Sequence, residues 1–177
     1  MLPATCFADG GLVAAVDVHY PASGGARAAA VLAASVTFSP VLAERVVTVD
    51  EVLAYQPGAF YLRELPPLRT VLAGQDDLRL IVVDGYADLD SRGRPGLGAR
   101  LHAELGIPVI GVAKSAYRPA THAIPVLRGT SSRPLFVTAA GMRRDDAARL
   151  VRHMAGSHRL PDALRRADAL ARRPDLA

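Results

Sequence analysis

Residues 78–85 read LRLIVVDG, and this stretch decides the fold. Apart from Arg79 the run is apolar up to Asp84, whereas a strand with one face in water would alternate apolar and polar residues. A short apolar run that ends at a glycine predicts a strand buried on both faces. Such strands belong to sheets covered by helices on both sides, so the flanking sequence should supply helices as well as strands.

The flanking segments have the patterns that this arrangement requires. Apolar runs with β-branched residues and short connecting turns predict an antiparallel meander before the helix that precedes residue 78, although the alanines of the second run also suit a helix. Helical spacing and terminal glycines or acidic residues predict the helices, with a Pro-Pro interruption in the first. The predicted strands are 11–21, 29–38, 45 onward, 78–85, 107–115 and a hairpin at 122–129 and 134–141, and the predicted helices are 58–74, 96–106, 145–156 and 161–173.

The order of these elements predicts an α/β fold with a ribonuclease H-like mixed sheet, in which three antiparallel strands precede two parallel ones and helices flank the sheet. At 177 residues we expect a single domain over 1–177. The single cysteine, Cys6, excludes a disulfide framework and a cysteine-based zinc site. The absence of a leader pattern or a long apolar run leads us to expect a cytoplasmic monomer without membrane attachment.

The charge balance is compatible with a polyanionic partner, because the net charge is +4 and the isoelectric point is about 9.7. An equally good explanation is that the composition is rich in Arg and Ala for reasons unrelated to partners. Aromatic residues make up only 5% and tryptophan is absent, which argues against a broad stacking platform for single strands.

Three acidic residues stand in places that carboxylates rarely occupy. Asp17 lies inside the apolar run AAVDVHY, where a charge is costly unless it is paired or binds a cation. Asp84 ends a buried strand, where open sheets place their ligands, and Glu64 lies in the predicted helix FYLREL. Taken singly, each has an ordinary explanation as an ion pair, a turn cap or a solvated helix face.

Taken together, these carboxylates indicate a metal site. Neighbouring strands would place Asp17 beside Asp84, and the intervening helix could bring Glu64 to the same cleft. Three carboxylates in one cleft repel each other, and Mg²⁺ relieves that repulsion because it prefers carboxylate, water and phosphate oxygens. Such a site activates water and stabilises displacement at phosphorus, so the pattern predicts metal-dependent phosphodiester hydrolysis. His19 is a further candidate ligand, since it shares a strand face with Asp17.

Lys114 is the only lysine of the chain, in an otherwise arginine-only set of basic side chains. It follows the predicted buried strand 107–115, near the strand that carries Asp84. A compact ammonium can sit close to a metal-bound phosphate as a point charge, whereas a guanidinium is larger and planar.

Five segments, in order and in register, resemble the endonuclease V family: AAVDVHYP, AYQPGAFYLRELPPL, LIVVDGYADLD, GLGARLHAELGIPVIGVAKS and HRLPDALRRADALA. The resemblance covers most of the chain and implies a ribonuclease H-like repair nuclease directed to deoxyinosine. It implies cleavage of the second phosphodiester bond 3′ to the lesion with Mg²⁺ or Mn²⁺, which leaves 3′-hydroxyl and 5′-phosphate ends. Some members prefer inosine in RNA.

The resemblance also implies roles for particular residues. The family's site residues fall on metal-binding Asp17, Glu64 and Asp84, catalytic Lys114, a duplex wedge of Tyr55, Gln56 and Pro57, and a base pocket of Gly58, Phe60 and Gly85. The wedge would help to hold the lesion base out of the duplex, and flipping costs least where pairing is already weak.

Two departures from the family pattern concern the metal site. A DGHGxxHPR-like stretch is replaced by DGYADLDSRG, so that Tyr86 and Asp90 stand in place of histidines. A late-helix histidine is also expected in the region Ala139–Met142, where the chain has none. Our hypothesis is that His19, Asp88 or Asp90 supplies the missing ligand, with His19 the first choice.

The same departures leave two alternative functions open. The chain could bind inosine-containing nucleic acid without cutting it. It could also be a related nuclease of the same fold that acts on RNA or on branched DNA.

Overall fold

The structure is a computed structural model that describes residues 10–54 and 56–173, so Cys6 and the predicted wedge residue Tyr55 lie outside the described residues. No helix within these ranges is both long enough and apolar enough to cross a bilayer. The strands are β1 (Leu12–His19), β2 (Ala26–Ala33), β3 (Val41–Val49), β4 (Leu78–Asp84), β5 (Val109–Ala113), β6 (Ile124–Val126) and β7 (Leu135–Ala140), and the helices are α1 (Tyr61–Leu72), α2 (Leu97–Leu105), α3 (Arg144–His153) and α4 (Asp162–Arg172).

These strands form a mixed sheet in the order β3-β2-β1-β4-β5-β7-β6. The first three strands pair antiparallel, and β4 and β5 then join β1 in parallel. The hairpin pair β6 and β7 extends the far side antiparallel to β5. The predicted ribonuclease H-like arrangement of three antiparallel strands followed by parallel ones is therefore confirmed.

Helices cover both faces of the sheet, which explains the continuous apolar run of β4. Leu80 and Val82 point into a core closed by α3 and α4, whereas Ile81 and Val83 point into a second core closed by α1 and α2. The four residues 80–83 therefore bury both faces of the strand in turn.

The structure differs from the predicted elements most at β2, β3 and α1. β2 covers Ala26–Ala33 where 29–38 was predicted, and it is a strand, buried along its whole length. Its small alanines let helices from both layers pack onto it. β3 begins at Val41, before the predicted start at 45. The predicted interruption of α1 at its two prolines is wrong, because Pro67 is buried and packing holds the helix through this point.

Candidate active site

The register of the sheet places the two strand aspartates side by side. β1 and β4 are parallel neighbours in which Val16 lies opposite Val83, so Asp17 and Asp84 follow at the same level. Both aspartates continue the alternate set of side chains that faces α4. Each is partly buried and lies toward the carboxyl end of its strand.

Glu64 reaches the same place from the opposite layer. It lies in the first turn of α1, which is held against the sheet by the buried Leu65 and Leu68. Burial, followed by the charges of Asp17 and Asp84, raises the pKa of Glu64 from 4.5 to about 8. The side chain is therefore close enough to both aspartates to feel their charge, and it holds its proton near neutral pH.

Asp17 is the centre of this electrostatic cluster. Burial is the main cause that raises its pKa from 3.8 to about 7, and the charge of Asp84 and a hydrogen bond with Asp168 raise it further. The hydrogen bond between the two side chains raises the pKa of Asp17 and lowers that of Asp168. Asp17 is therefore the protonated partner, and its hydroxyl donates the hydrogen bond to the Asp168 carboxylate.

Asp168 is the site residue that the sequence analysis missed. It lies on α4, whose buried face includes Leu164 and Ala167, and α4 packs on β1. Arg172 donates to its Oδ1 from one turn further on, at 2.7 Å. Burial alone would raise the pKa of Asp168, but the hydrogen bonds with Arg172 and Asp17 outweigh it and lower the pKa. Its only sequence signal was its position in the segment HRLPDALRRADALA.

Lys114 supplies the positive charge of the cluster. Asp84 lies opposite Val112 of β5, and Lys114 is two residues further along, just past the strand. Its Nζ lies 2.5 Å from Oδ2 of Asp84, while about half of its side chain remains exposed. Burial lowers the pKa of the Lys114 ammonium, but the hydrogen bond and charge of Asp84 outweigh burial and raise it overall.

The carboxylates suit a hard divalent cation by charge and donor type. Burial, and then the proximity of the other carboxylates, raises the pKa of Asp17 and Glu64, as expected for acidic groups that lack a sufficient counter-charge. Over residues 10–54 and 56–173, no three His, Cys, Asp or Glu side chains are already arranged around a single metal position. Instead Asp84 is paired with Lys114 and Asp168 with Arg172, so a cation would have to compete with these ion pairs.

A cavity of about 330 Å³ opens beside Glu64 and Asp84. Its size falls in the lower part of the range of small-molecule sites, roughly 300–1,000 Å³. The residues predicted to form the base pocket, Gly58, Phe60 and Gly85, all line it. The structure thus brings the predicted pocket and two of the predicted carboxylates together in one cleft.

The turn that follows Asp84 is seated directly on the neighbouring strands. The Gly85 amide donates to the Val112 carbonyl at 3.0 Å, and the Ala87 amide donates to Oγ1 of Thr138 at 2.7 Å. A β-carbon on Gly111 would lie 2.4 Å from the Ala87 nitrogen, so only glycine lets the turn pack this closely. This packing fixes the turn that forms one wall of the cavity.

The remaining predicted residues lie around this centre or away from it. Gln56 and Pro57 form the turn before α1, next to the cavity residue Gly58. His19 ends β1 opposite Arg27, and its proposed ligand role stays a prediction.

The other two candidate ligands serve other contacts. Oδ1 of Asp90 accepts hydrogen bonds from the amides of Arg92 and Arg94 and so closes its own loop. Asp88 feels the charges of His122 and Arg144 and lines a different cavity with them. The structure does not bring either aspartate to the Asp17 cluster.

The expectation of a ligand in the region Ala139–Met142 requires a correction. β7 runs antiparallel to β5, with Ala139 opposite Ile110 and Ala140 opposite Val109. This is the end of β5 remote from Lys114, so a histidine there would lie at the opposite end of the strand from the carboxylates. The late helix that does reach them is α4, through Asp168.

Comparison with known proteins gives a consistent result. The endonuclease V family model matches residues 5–169. Endonuclease V of Azotobacter vinelandii is 37% identical over 190 residues, which cover 94% of this chain and 85% of that protein. Endonuclease V of Streptomyces avermitilis is 32% identical over 187 residues, which cover 92% of this chain and 80% of that protein.

Solved structures agree at the level of the fold. The crystal structure of Streptomyces avermitilis endonuclease V superposes with a TM-score of 0.75 at 31% identity, covering 92% of this chain and 80% of that one. Ciona intestinalis endonuclease V, bound to a 23mer DNA containing an inosine followed by a ribo-adenosine, has a TM-score of 0.78 at 20% identity, covering 93% and 85%. By sequence and by fold, this chain belongs to the endonuclease V family.

Proposed function

We propose that the protein is a Mg²⁺-dependent DNA repair endonuclease that recognises deoxyinosine and hydrolyses the second phosphodiester bond on its 3′ side. The observation that carries the proposal is the proximity of Asp17, Glu64 and Asp84, together with the cavity that Glu64 and Asp84 line with the predicted base pocket. A flipped base and a reacting phosphate would then occupy adjoining parts of one cleft.

In this mechanism the carboxylates hold the cation, with Mn²⁺ as a substitute for Mg²⁺. Bound there, the metal would supply a more acidic water and would neutralise charge on the phosphate. Asp17 and Glu64 must lose to solvent the protons that burial favours, and the charge of a bound cation would favour that loss. The Lys114 ammonium, beside Asp84, would hold the phosphate or the attacking water.

The base would be held by the walls of the cavity. Gly58 leaves backbone groups accessible because it carries no side chain, Gly85 would let the base approach the turn closely for the same reason, and Phe60 offers an exposed ring beside them. Gln56 and Pro57 immediately precede the cavity residue Gly58, and the proposed wedge would enter the duplex beside it. Backbone groups suit recognition of a flipped base by its hydrogen-bonding edge.

A cleavage assay tests the proposal. Duplexes and single strands with one deoxyinosine, and matched adenine controls, are incubated with EDTA, Mg²⁺ or Mn²⁺, and the product ends are mapped. We expect metal-dependent cutting one nucleotide beyond the inosine, with 5′-phosphate products, and no cutting of the controls. Tight binding of inosine DNA without cutting in any metal would instead support the binding-only alternative.

The same assay with an RNA inosine substrate and a branched DNA distinguishes the third function. The binding-only alternative depended on a missing ligand near Ala139, and Asp168 supplies a carboxylate at the cluster itself. This observation favours cleavage over simple binding.

A further inference from the structure

The backbone that carries Lys114 lies outside the sheet. The last residue pair between β5 and β7 is Ala113 with Phe136, and the chain leaves the ladder after it. Asp84, by contrast, is still paired within the sheet, opposite Val112. The ion pair between Lys114 and Asp84 therefore joins a carboxylate fixed by the sheet to an ammonium whose backbone must be held by something else.

One holding group comes from the connection between α3 and α4. The guanidinium of Arg159 donates from Nη2 to the carbonyl oxygen of Lys114 and, at 2.8 Å, to that of Pro134. Pro134 immediately precedes β7, so the two bonds tie the end of β5 to the start of its neighbour. A guanidinium presents several donors in a fixed plane, which suits it to hold two carbonyls at once.

Arg159 is itself supported by a buried arginine. The Arg128 side chain, only 5% exposed, turns its guanidinium toward the α3–α4 connection. Charge-assisted hydrogen bonds of this kind are stronger than neutral ones, and several acting on one loop hold its backbone in place. The carbonyls that accept from Arg128 are those of Met154, Ala155, Gly156, His158 and Arg159.

A second holding group acts on the peptides just after Lys114. The Tyr86 hydroxyl donates to the Ser115 carbonyl at 2.8 Å and accepts from the Tyr117 amide at 2.9 Å. Tyr86 lies two residues after Asp84 and lines the cavity. The segment from Lys114 to Tyr117 is thus held from the α4 side by one residue and from the β4 side by another.

We propose that Arg159 is a positioning residue for Lys114, and that Tyr86 fixes the peptides that follow it. Neither residue needs to touch the substrate: each sets where the Lys114 ammonium stands relative to Asp84. The consequence for cleavage rests on the proposed function, whereas the effect on Lys114 itself does not. Displacement of a catalytic group by about 1 Å can reduce a rate on the order of 100-fold.

The single lysine allows the position of Lys114 to be measured without any substrate. Reductive ¹³C-methylation labels Lys114 and the terminal amine, and the dimethyl-lysine retains its charge. In EDTA, we expect the wild-type Lys114 signal to be displaced from that of a free dimethyl-lysine. Arg159→Ala should move it toward the free position, while Arg152→Ala, which removes an exposed arginine of α3, should leave it unchanged.

Kinetics provide the second readout. We expect Arg159→Ala to lower kcat for inosine-DNA cleavage by roughly 10- to 100-fold with little change in KM. Arg159→Lys should fail to rescue it, because the lysine side chain is one bond shorter and its ammonium does not reach the position from which Nη2 contacts both carbonyls. Tyr86→Phe, which removes only the hydroxyl, should lower kcat by a smaller factor and covers the case in which the arginine variants do not fold.

The outcomes are separable. A wild-type lysine signal and wild-type kcat in folded Arg159→Ala would overturn the inference; if the arginine variants do not fold, the same result in Tyr86→Phe would overturn it. A displaced signal in Arg159→Ala, with no cleavage by the wild-type protein, would refute the proposed function and leave the positioning role standing. A loss of cleavage activity in Arg159→Ala that accompanies a lowered melting temperature, and that is absent in Arg159→Lys, would indicate a merely structural role. That result would also count against the positioning role.

Discussion

Lys114 meets Asp84 with a small, rotatable ammonium group, and that choice has consequences at the scale of a single residue. The pair is close, at 2.5 Å, yet half of the lysine side chain is exposed to the cleft. The ammonium can therefore turn from the carboxylate toward a phosphate without leaving the site. Arginine would carry the same charge on a bulkier, planar group that cannot take up the same position.

We therefore expect Lys114→Arg to lose most cleavage, on the order of 100-fold in single-turnover rate, if the ammonium is misplaced by about 1 Å. Substrate affinity should stay within a few-fold of wild type, because the charge is conserved. The measurements are a single-turnover assay and a binding titration in Ca²⁺ or EDTA. Wild-type cutting by the arginine variant would show that the single lysine has no special role.

At the scale of the element, α4 combines two tasks. Its buried face, which includes Leu164 and Ala167, closes one core layer. Its partly exposed edge carries Asp168 to Asp17. The docking of this apolar face on β1 brings the carboxylate to the site, so the site depends on helix packing as well as on charged groups.

Asp168→Asn should lower metal-dependent cleavage by roughly 10- to 100-fold, as is typical when a group that supports a metal ligand is lost. The helix should stay folded, because the side chain is only partly buried and the buried face of α4 is unchanged. Cleavage rates across a Mg²⁺ titration, with circular dichroism of each variant, provide the check. Asp76→Asn, on an exposed loop, is the matched control, and equal activity of the two variants would remove Asp168 from the site.

The close packing of the turn that follows Asp84 against β5 gives a second prediction at this scale. Gly111→Ala would place a methyl group 2.4 Å from the Ala87 nitrogen and 2.7 Å from the Gly85 carbonyl oxygen. Because both contacts are backbone, the turn must move and Asp84 with it. We expect destabilisation of about 1–3 kcal/mol from overpacking and a clear loss of cleavage.

Urea unfolding and the inosine assay measure the two effects. Ala113→Gly, in the same strand, is the control for a small change in side-chain volume. An alanine variant with wild-type stability and activity would contradict the close packing of the turn.

The elements and the strand carboxylates were predictable, and Asp168 was not, for physical reasons. Asp17 and Asp84 stand out because a charge beside buried valines is unfavourable wherever the strand lies. Asp168 sits on an ordinary amphipathic helix with Arg172 four residues on, a pattern shared by solvated helix faces. Only the docking of α4 against β1 distinguishes the two cases, and docking is a tertiary event.

Strand ends were predicted less well for a related reason. The alanine-rich β2 is compatible with a helix on local preference, and burial between two helical layers makes it a strand from Ala26. The prolines of α1 gave a wrong prediction for the same kind of reason. Local geometry predicts an interruption of the helix, and the burial of Pro67 outweighs that preference.

At the scale of the whole molecule, the cluster couples stability to pH and to metal. The folded protein raises the pKa of Asp17 to about 7 and that of Glu64 to about 8, above their unfolded values of 3.8 and 4.5. At a pH between the unfolded and the folded pKa of either group, the folded state binds more protons than the unfolded state. The free energy of unfolding contributed by these groups is therefore fully present at low pH and is lost as pH rises toward 8.

In EDTA we expect the melting temperature to fall between about pH 5 and pH 8 because of these groups. Glu64→Gln should flatten the profile, since the amide needs no proton, and Mg²⁺ should flatten it by binding the ionised cluster. Melting scans at several pH values, with and without Mg²⁺, measure this directly. A metal-free profile that rises through this window, or one that is the same in Glu64→Gln, would contradict the assignment.

The chain order of the four carboxylates has a consequence for synthesis in the cell. Asp17, Glu64 and Asp84 leave the ribosome well before α4, which begins only at Asp162. A nascent or truncated chain that ends before this helix lacks one helix of a core layer and the last acidic residue of the cluster. If the proposed function holds, such a chain would not cut nucleic acid, and the capacity for cutting would be acquired only once α4 has been made.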